Sequence, residues 1–209
     1  MKFPVKNTAD FEACPAGNHA AICNAIVDLG IQPGSGQYPD PKHQVYIRFE
    51  IPGERIKYVK DGRDIEGPMS IGRTFTASMS AKANLRKFVE SWRGAQFTDA
   101  QAAGFDFRKL LGQRCLLNVT HTDKGERTYA NITTATPIPK GMTSAEPQHN
   151  QSLFFDLAAA DQRVYAQLPE WLREKISKRL QVEQHDKDPG YAAEDAQAGS
   201  VDPDDDIAF

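Results

Sequence analysis

The sequence has no long apolar run, and its first residues, Met1-Lys2-Phe3-Pro4, do not begin an apolar segment. A membrane-spanning helix needs about 20 consecutive apolar residues, and a signal peptide needs an apolar core close to its N-terminus. We therefore expect a soluble protein that stays inside the cell and does not act on membranes.

Cysteine is scarce, and its spacing suggests no pairing. Cys14, Cys23 and Cys115 are an odd set without a Cys-x-x-Cys motif, whereas structural zinc sites usually contain closely spaced ligand pairs. A zinc site that includes His19 or His121 is the alternative. We predict three reduced, mostly buried thiols, no metal ion and no cofactor.

Catalytic patterns are missing as well. The acidic residues from Asp28 to Asp106 are scattered, the five histidines lack metal-ligand spacing, and the sequence contains no GxxxxGK[ST] phosphate loop. A nuclease needs a carboxylate cluster for metal ions, or a nucleophile beside a base. We therefore predict that the protein is not an enzyme.

The small net charge of −3 hides an uneven distribution. Residues 1–150 contain 19 Lys and Arg against 15 Asp and Glu, whereas residues 151–209 contain 6 against 13. The chain therefore has a mildly basic body and an acidic end, and such a body is compatible with a nucleic-acid partner.

Alternating hydrophobicity predicts five strands in the body. The clearest is 45–51, where every second side chain is apolar, and Pro52-Gly53 bends or interrupts the strand that follows. The five predicted strands are 19–29, 45–51 with a continuation at 55–59, 71–79, 114–121 and 128–136.

Between the third and fourth strands the period changes to that of a helix. One apolar stripe at helical spacing, which we expect in the core, consists of Leu85, Phe88, Val89 and Trp92. We predict a helix over 81–93, with Ser80 as its cap and Gly94 as its end. Thr98 and the glutamine three residues later form a capping box, so a second helix should run to about Leu111.

Three strands, one or two helices and two further strands are the element order of the OB-fold, a five-stranded, partly open barrel. We predict a mainly β fold of this kind, with the helix closing one end; another small α+β sheet is the alternative. The predicted divisions are an N-terminal lead-in at 1–17, the OB-fold domain at 18–138, a linker at 139–152, a helical extension at 153–182 and a disordered acidic tail at 183–209.

Proteins bind single-stranded nucleic acid with basic grooves and with aromatic rings that stack on bases, at about 1–3 kcal/mol per base. OB-folds bind over the face of strands two and three and through the loops that join strands one to two and four to five. The predicted DNA-binding residues are Tyr46, Arg48, Lys57, Tyr58, Lys60, Arg63, Arg73, Lys124, Arg127 and Tyr129. The alternatives are that Tyr46 and Tyr129 pack under the C-terminal helix and that the cations are ordinary solvated charges. Alternation along the third strand places the Arg73 side chain on the core-facing side. The alternative is that Arg73 lies near the rim of the barrel, beyond the core.

The most specific functional signal in the sequence lies in its acidic tail. Residues 183–209 contain nine acidic side chains and one lysine, and too few apolar residues to fold alone. At the tip, Phe209 can fill an apolar pocket while the aspartates steer the approach to a basic partner. The predicted partner-binding residues are Asp204, Asp205, Asp206, Ile207 and Phe209. The tail can also compete with DNA for the basic groove; a solubility tail is the alternative.

Two resemblances connect these patterns to known families. The tip resembles that of bacterial single-stranded DNA-binding proteins, with Ala208 where that family has proline. The body, over roughly 18–140, resembles phage-encoded single-stranded DNA-binding proteins in VYIRFEIPGE (45–54), GRTFTASMS (72–80), ANLRKFVESWRG (83–94), FDFRKLLG (105–112) and RTYANI (127–132).

The resemblance implies an OB-fold and sequence-tolerant binding in phage DNA replication, recombination and repair. It also implies action in the cytoplasm of a bacterial host, with a polymerase, helicase or exonuclease recruited through the tip. A recombination mediator or strand-annealing protein is the main alternative; a virion structural protein or a nuclease is a weaker one. A stripe of Leu172, Ile176 and Leu180 in the helical extension can pack on the barrel, form a homodimer or hold another partner.

Overall fold

The computed structural model describes residues 13–34, 36, 39–60, 62–125, 127–142 and 146–180, without the side chains of 58–60. The strands are β1 Gly17–Gln32, β2 Lys42–Lys60, β3 Arg63–Thr76, β4 Arg114–Lys124, β5 Arg127–Thr136 and β6 Leu153–Phe155. The helices are α1 Asn84–Arg93, α2 Asp99–Ala103, a 3-10 helix Phe107–Leu110, α3 Gln162–Gln167 and α4 Glu170–Ser177.

Five strands form one curled antiparallel sheet in the order β3-β2-β1-β4-β5. The long strand β1 pairs with β2 along one edge; along the other edge it pairs with β4 over 17–22 and, in parallel, with β6 over 25–27. The predicted mainly β fold, with helices between the third and fourth strands, is confirmed at this level.

The predicted bend at Pro52-Gly53 is a register shift between Ile51 and Arg55 inside one continuous strand, β2. The predicted start of the third strand at 71 is wrong, because β3 begins at Arg63. The added part of β3 contains Pro68, which is tolerated because β3 is the last strand at its side of the sheet.

The interior of the curl is filled by α1 and by the inward side chains of β2. The predicted stripe is buried, and the Phe49 ring centroid lies 6.1 Å from that of Phe88 and 5.2 Å from that of Trp92. Trp92 is only 2% exposed, and its indole N–H donates to the Arg114 carbonyl at 3.0 Å. The prediction that Trp92 is a core residue is confirmed.

The end of α1 is as predicted, but its start is not. Gly94 ends the helix in the left-handed region with φ 70°, which favours glycine. The N-cap is Ala83, without a side-chain bond, so the predicted Ser80 cap is wrong. Ser80 instead forms a turn, in which its carbonyl accepts from the Ala83 N–H at 2.8 Å.

The second helix is also shorter than predicted. Both bonds of the capping box between Thr98 and Gln101 are present, yet α2 ends at Ala103. The side chain of Asp106 accepts from the Arg108 N–H and starts the 3-10 helix. A new cap inside the segment therefore replaces one continuous helix with two short ones.

Residues 146–180, which we call the arm, pack on the outer side of the sheet. Val27, Leu29 and Tyr46 of the sheet form a second core there with apolar residues of the arm, namely Phe155, Leu168, Leu172 and Ile176. The predicted helix over 153–182 is wrong in part, because the arm contains a strand and two short helices. Of the alternatives for the stripe, packing on the sheet of the main domain is the one observed for Leu172 and Ile176, whereas Leu180 is exposed.

None of the helices in the described ranges combines the length and apolarity that crossing a bilayer requires.

Candidate nucleic-acid interface

The β4–β5 hairpin carries three of the predicted DNA-binding side chains, Lys124, Arg127 and Tyr129, on one face. Cross-strand pairs Lys124–Arg127, Thr122–Tyr129 and Thr120–Asn131 alternate along the ladder, so their side chains share one face. All six residues are exposed, and Tyr129 is 46% exposed. The core lies on the opposite face, where Val119 pairs with Ile132.

Hydrogen bonds order this outer face. The Asn131 side-chain amide donates to the Thr122 hydroxyl at 3.3 Å and to the Tyr129 carbonyl at 3.1 Å. Asp123 lies in the opposite phase of β4, where it accepts from the Thr128 hydroxyl at 2.7 Å. The face therefore presents two cations, one aromatic ring and neutral polar groups, which can contact phosphates and bases.

The β2–β3 hairpin adds further cations, but it also carries acids. Lys57 and Arg63 are exposed. Lys57 pairs across the ladder with Glu66, and Glu66 accepts from the Arg55 guanidinium at 3.4 Å. This hairpin is therefore less basic than its lysines and arginines suggest. The backbones of Tyr58 and Lys60 lie in its ladder, but their side chains fall outside the described part of the structure.

Both hairpins project from the same end of the sheet. Successive strands of the path are antiparallel, so β3 and β5 run in the same direction and both start from a hairpin tip. The two strands meet further along, at Arg73. The strand registers thus place the cations of both hairpins beyond the N-terminal end of β1.

Arg73 is a bridge between strands rather than a free surface cation. Its guanidinium, through one NH2 group, donates to the carbonyls of Ile132 and Thr133 on β5, at 3.0 Å each. It also lies 4.8 Å from the Phe75 ring centroid and 5.9 Å from that of Phe88. Burial lowers the pKa of this guanidinium. The inward phase predicted by parity is confirmed. The DNA contact predicted for Arg73 stays a prediction, for a side chain that is already engaged by β5.

Tyr46 does not lie open for stacking in this structure. It is 8% exposed beneath the arm, and its ring lies 5.1 Å from that of Trp171, at 90°. Burial raises the pKa of its phenol, while the charge of Arg48 acts in the opposite direction. The alternative of packing under the C-terminal helix is the one observed, because α4 covers this part of β2.

Arg48 is partly buried and held by a neighbouring strand. Its Nε donates to the Asn24 side-chain oxygen at 2.9 Å, and the Asn24 amide donates to the buried carboxylate of Glu50 at 3.3 Å. Arg48 therefore belongs to a polar network below the arm. The outer face of β2, predicted to hold DNA, is covered over this stretch.

Trp171 is the exposed aromatic residue that the sequence reasoning missed. It is 49% exposed, although it belongs to the same helix as the buried Leu172 and Ile176. The sequence did contain a signal for its exposure. Trp171 immediately precedes the apolar stripe of that helix, and this position turns its side chain away from the centre of the stripe.

The cysteines and two of the histidines occupy structural positions. All three thiols are free and buried, as predicted, and burial with the nearby charge of Glu54 raises the pKa of Cys14 to about 11. Ring nitrogens of His19 and His121 lie 2.8 Å from the carbonyl oxygens of Pro15 and Cys14, respectively. Within the described ranges no three His, Cys, Asp or Glu side chains cluster as metal ligands.

The predicted partner-binding residues, Asp204, Asp205, Asp206, Ile207 and Phe209, lie outside the described residues, as does the whole segment 183–209. No protein-family model matches this sequence, and no curated protein is similar to it. Support for a function therefore comes from the geometry of the two hairpins and the arm.

Proposed function

We propose that this chain binds single-stranded DNA with little regard to sequence, using an OB-type barrel whose β4–β5 hairpin contacts the strand. The observation that carries the proposal is the face shared by Lys124, Arg127 and Tyr129, where two cations lie beside an exposed ring. Cations that attract phosphates and rings that stack on any base are the two devices of sequence-tolerant binding.

The strand arrangement supports an OB-type barrel. The order β3-β2-β1-β4-β5 leaves β3 and β5 at the two edges, and the Arg73 bridge brings those edges together. Helices stand between β3 and β4, as in the OB-fold. OB-folds bind oligonucleotides partly through the loop that joins strands four and five, which is the hairpin that carries Lys124 and Arg127.

The biological setting follows from the sequence resemblance. We propose a role in coating and protecting single strands during phage DNA replication, recombination and repair in a bacterial cytoplasm. The acidic tip, Asp204 to Phe209, then recruits a polymerase, helicase or exonuclease. No catalytic step is part of the proposal.

The interface can be tested by titrating labelled oligo(dT), longer than about 16 nucleotides to fill a complete OB-fold site. Tyr129→Ala should weaken binding by about 5- to 150-fold, which corresponds to the loss of one stacked base. Lys124→Ala with Arg127→Ala should reduce the slope of log K against log salt by about 1.4, since each single-strand phosphate contact contributes about 0.7. Fluorescence anisotropy at several salt concentrations measures both effects.

Lys87→Ala with Lys109→Ala is the matched control, because it removes two exposed cations of the helical segment and leaves both hairpins intact. We expect its affinity and salt slope to equal those of the unmodified protein. If the hairpin variants fold normally and bind as tightly as this control, the β4–β5 hairpin is not the interface. Rapid annealing of complementary strands would favour the mediator function.

A further inference from the structure

Trp171 is held on the outer side of β2 by a firmly attached arm. Leu172 and Ile176 anchor α4 in the second core. At the C-terminal end of the arm, the Leu180 N–H donates to the Ile31 carbonyl at 2.8 Å, and the Gln32 side chain donates to the Lys175 carbonyl at 3.1 Å. The indole is therefore presented by a fixed helix, and little conformational entropy is lost when a ligand meets it.

The other end of the arm is fixed by a buried carboxylate. Glu50 is fully buried and accepts from the backbone N–H groups of His149 and Asn150, at 2.6 Å and 2.9 Å. It also accepts from the Asn150 side-chain amide at 2.6 Å. Three residues further on, β6 pairs with β1. Both ends of the arm are thus bound to the sheet, and Trp171 lies between them.

The surroundings of Trp171 suit a nucleic-acid strand. Residues 170–179 contain four Lys and Arg against two Glu, and Lys175 lies one turn after Trp171 on the same side of α4. The other exposed large apolar residue of the arm is Leu180, nine positions further along. Glu174 pairs with Lys178 at 3.9 Å, so Lys175 is the cation of this helix that lies on the same side as the ring. A protein-docking surface usually presents a contiguous apolar patch, whereas a single exposed ring beside a cation matches the stacking devices of single-strand binders.

We propose that Trp171 is a stacking platform for one base of single-stranded DNA. The arm that covers Tyr46, and so prevents that ring from stacking on a base, presents the Trp171 ring instead. The edge-to-face contact with the Tyr46 ring holds the indole in position while about half of its surface stays open. This inference rests on the proposed function. It adds a second binding surface on the outer side of the sheet, with the β4–β5 hairpin as the first.

The two tryptophans of the chain make the proposal directly measurable. Stacking on a base should quench the emission of Trp171, whereas Trp92 is buried in the core and should not respond. We expect oligo(dT) to quench the unmodified protein and Trp92→Phe, and to leave Trp171→Phe unquenched. If Trp92→Phe fails to fold, the comparison of the unmodified protein with Trp171→Phe is sufficient.

Affinity provides the second readout. By anisotropy with labelled oligo(dT), Trp171→Ala should bind about 5- to 150-fold more weakly, and Trp171→Phe should recover part of the loss because it retains a ring. Leu180→Ala is the matched control, since it removes the other exposed large apolar side chain of the arm, and its affinity should be unchanged.

The outcomes separate this inference from the function on which it rests. If labelled oligo(dT) binds Trp171→Ala at full affinity and Trp171 emission is unquenched, the stacking role is overturned while single-strand binding stands. If Trp171→Ala alters self-association in sedimentation but not DNA affinity, Trp171 serves a protein contact and the proposal is equally overturned. If the unmodified protein does not bind oligo(dT), the proposed function itself is rejected.

Discussion

At the scale of single residues, the outward positions of β2 differ most from what alternation suggests. Ile47, Phe49 and Ile51 face the core as predicted. The intervening residues Tyr46 and Glu50 are equally hidden, because the arm covers them. Alternation identifies which side chains share a face, but it does not reveal what packs on that face.

The ring of Tyr46 occupies the space in which a side chain at Gly72 would lie. A methyl group added at this glycine would lie 2.1 Å from the Tyr46 hydroxyl oxygen. We predict that Gly72→Ala displaces the ring and lowers the free energy of unfolding by about 1–3 kcal/mol, the usual range for overpacking. Urea denaturation measures the change.

Gly53→Ala is the control for this prediction, because an added methyl at that glycine of the same sheet meets nothing within 4 Å. Equal stability of the two variants would show that the Tyr46 ring is not packed against Gly72. The sequence offered no sign of this contact, since the two residues are neighbours only through the register of β2 and β3.

At the scale of elements, three local signals were confirmed, although the Ser80 cap and the continuous second helix, which are equally local, were wrong. The apolar stripe of α1, its Gly94 end and the capping box of α2 each depend on residues within one or two turns. The prediction of a helical extension over 153–182 was wrong at β6, because this strand forms only by pairing with β1, about 130 residues earlier in the chain. Long-range pairing of this kind leaves no periodicity in a three-residue strand.

Glu50 attaches the N-terminal end of the arm to the sheet through three hydrogen bonds. We predict that Glu50→Gln lowers the free energy of unfolding by about 1–3 kcal/mol, because an amide replaces an oxygen that accepts hydrogen bonds from buried donors. The arm should also become more sensitive to limited proteolysis, which gel electrophoresis can follow.

Glu146→Gln gives the same change at an exposed position of the arm and should leave stability and proteolysis unaffected. Identical digestion of the two variants would argue that the contacts from Glu50 to His149 and Asn150 do not hold the arm.

At the scale of the whole molecule, the charge pattern predicts a division of labour between body and tail. Deletion of Asp204 to Phe209 should preserve or raise the affinity for oligo(dT), because the tail resembles a polyanion and competes for the basic surface. The same deletion should abolish pull-down of partner proteins. A deletion that eliminates DNA binding would contradict this division.

The order of elements along the chain predicted a mainly β fold with helices between the third and fourth strands, although the same order also fits another small α+β sheet. The grouping of the candidate DNA-binding residues was less predictable. Of the ten predicted residues, Lys124, Arg127 and Tyr129 form one exposed face, Lys57 and Arg63 are exposed on the other hairpin, and Tyr46, Arg48 and Arg73 are engaged within the fold. A hairpin tip projects into solvent by its topology, whereas a strand face can be covered by any later segment.

The Arg73 bridge also has a mechanical consequence. Among the described residues, β3 and β5 are joined by one guanidinium rather than by a ladder of main-chain bonds. A long side chain can tilt and still reach a carbonyl, so we expect the spacing between β3 and β5 to vary without loss of strand pairing. For the proposed ligand, an irregular and flexible single strand, this seam provides a wall that can adapt.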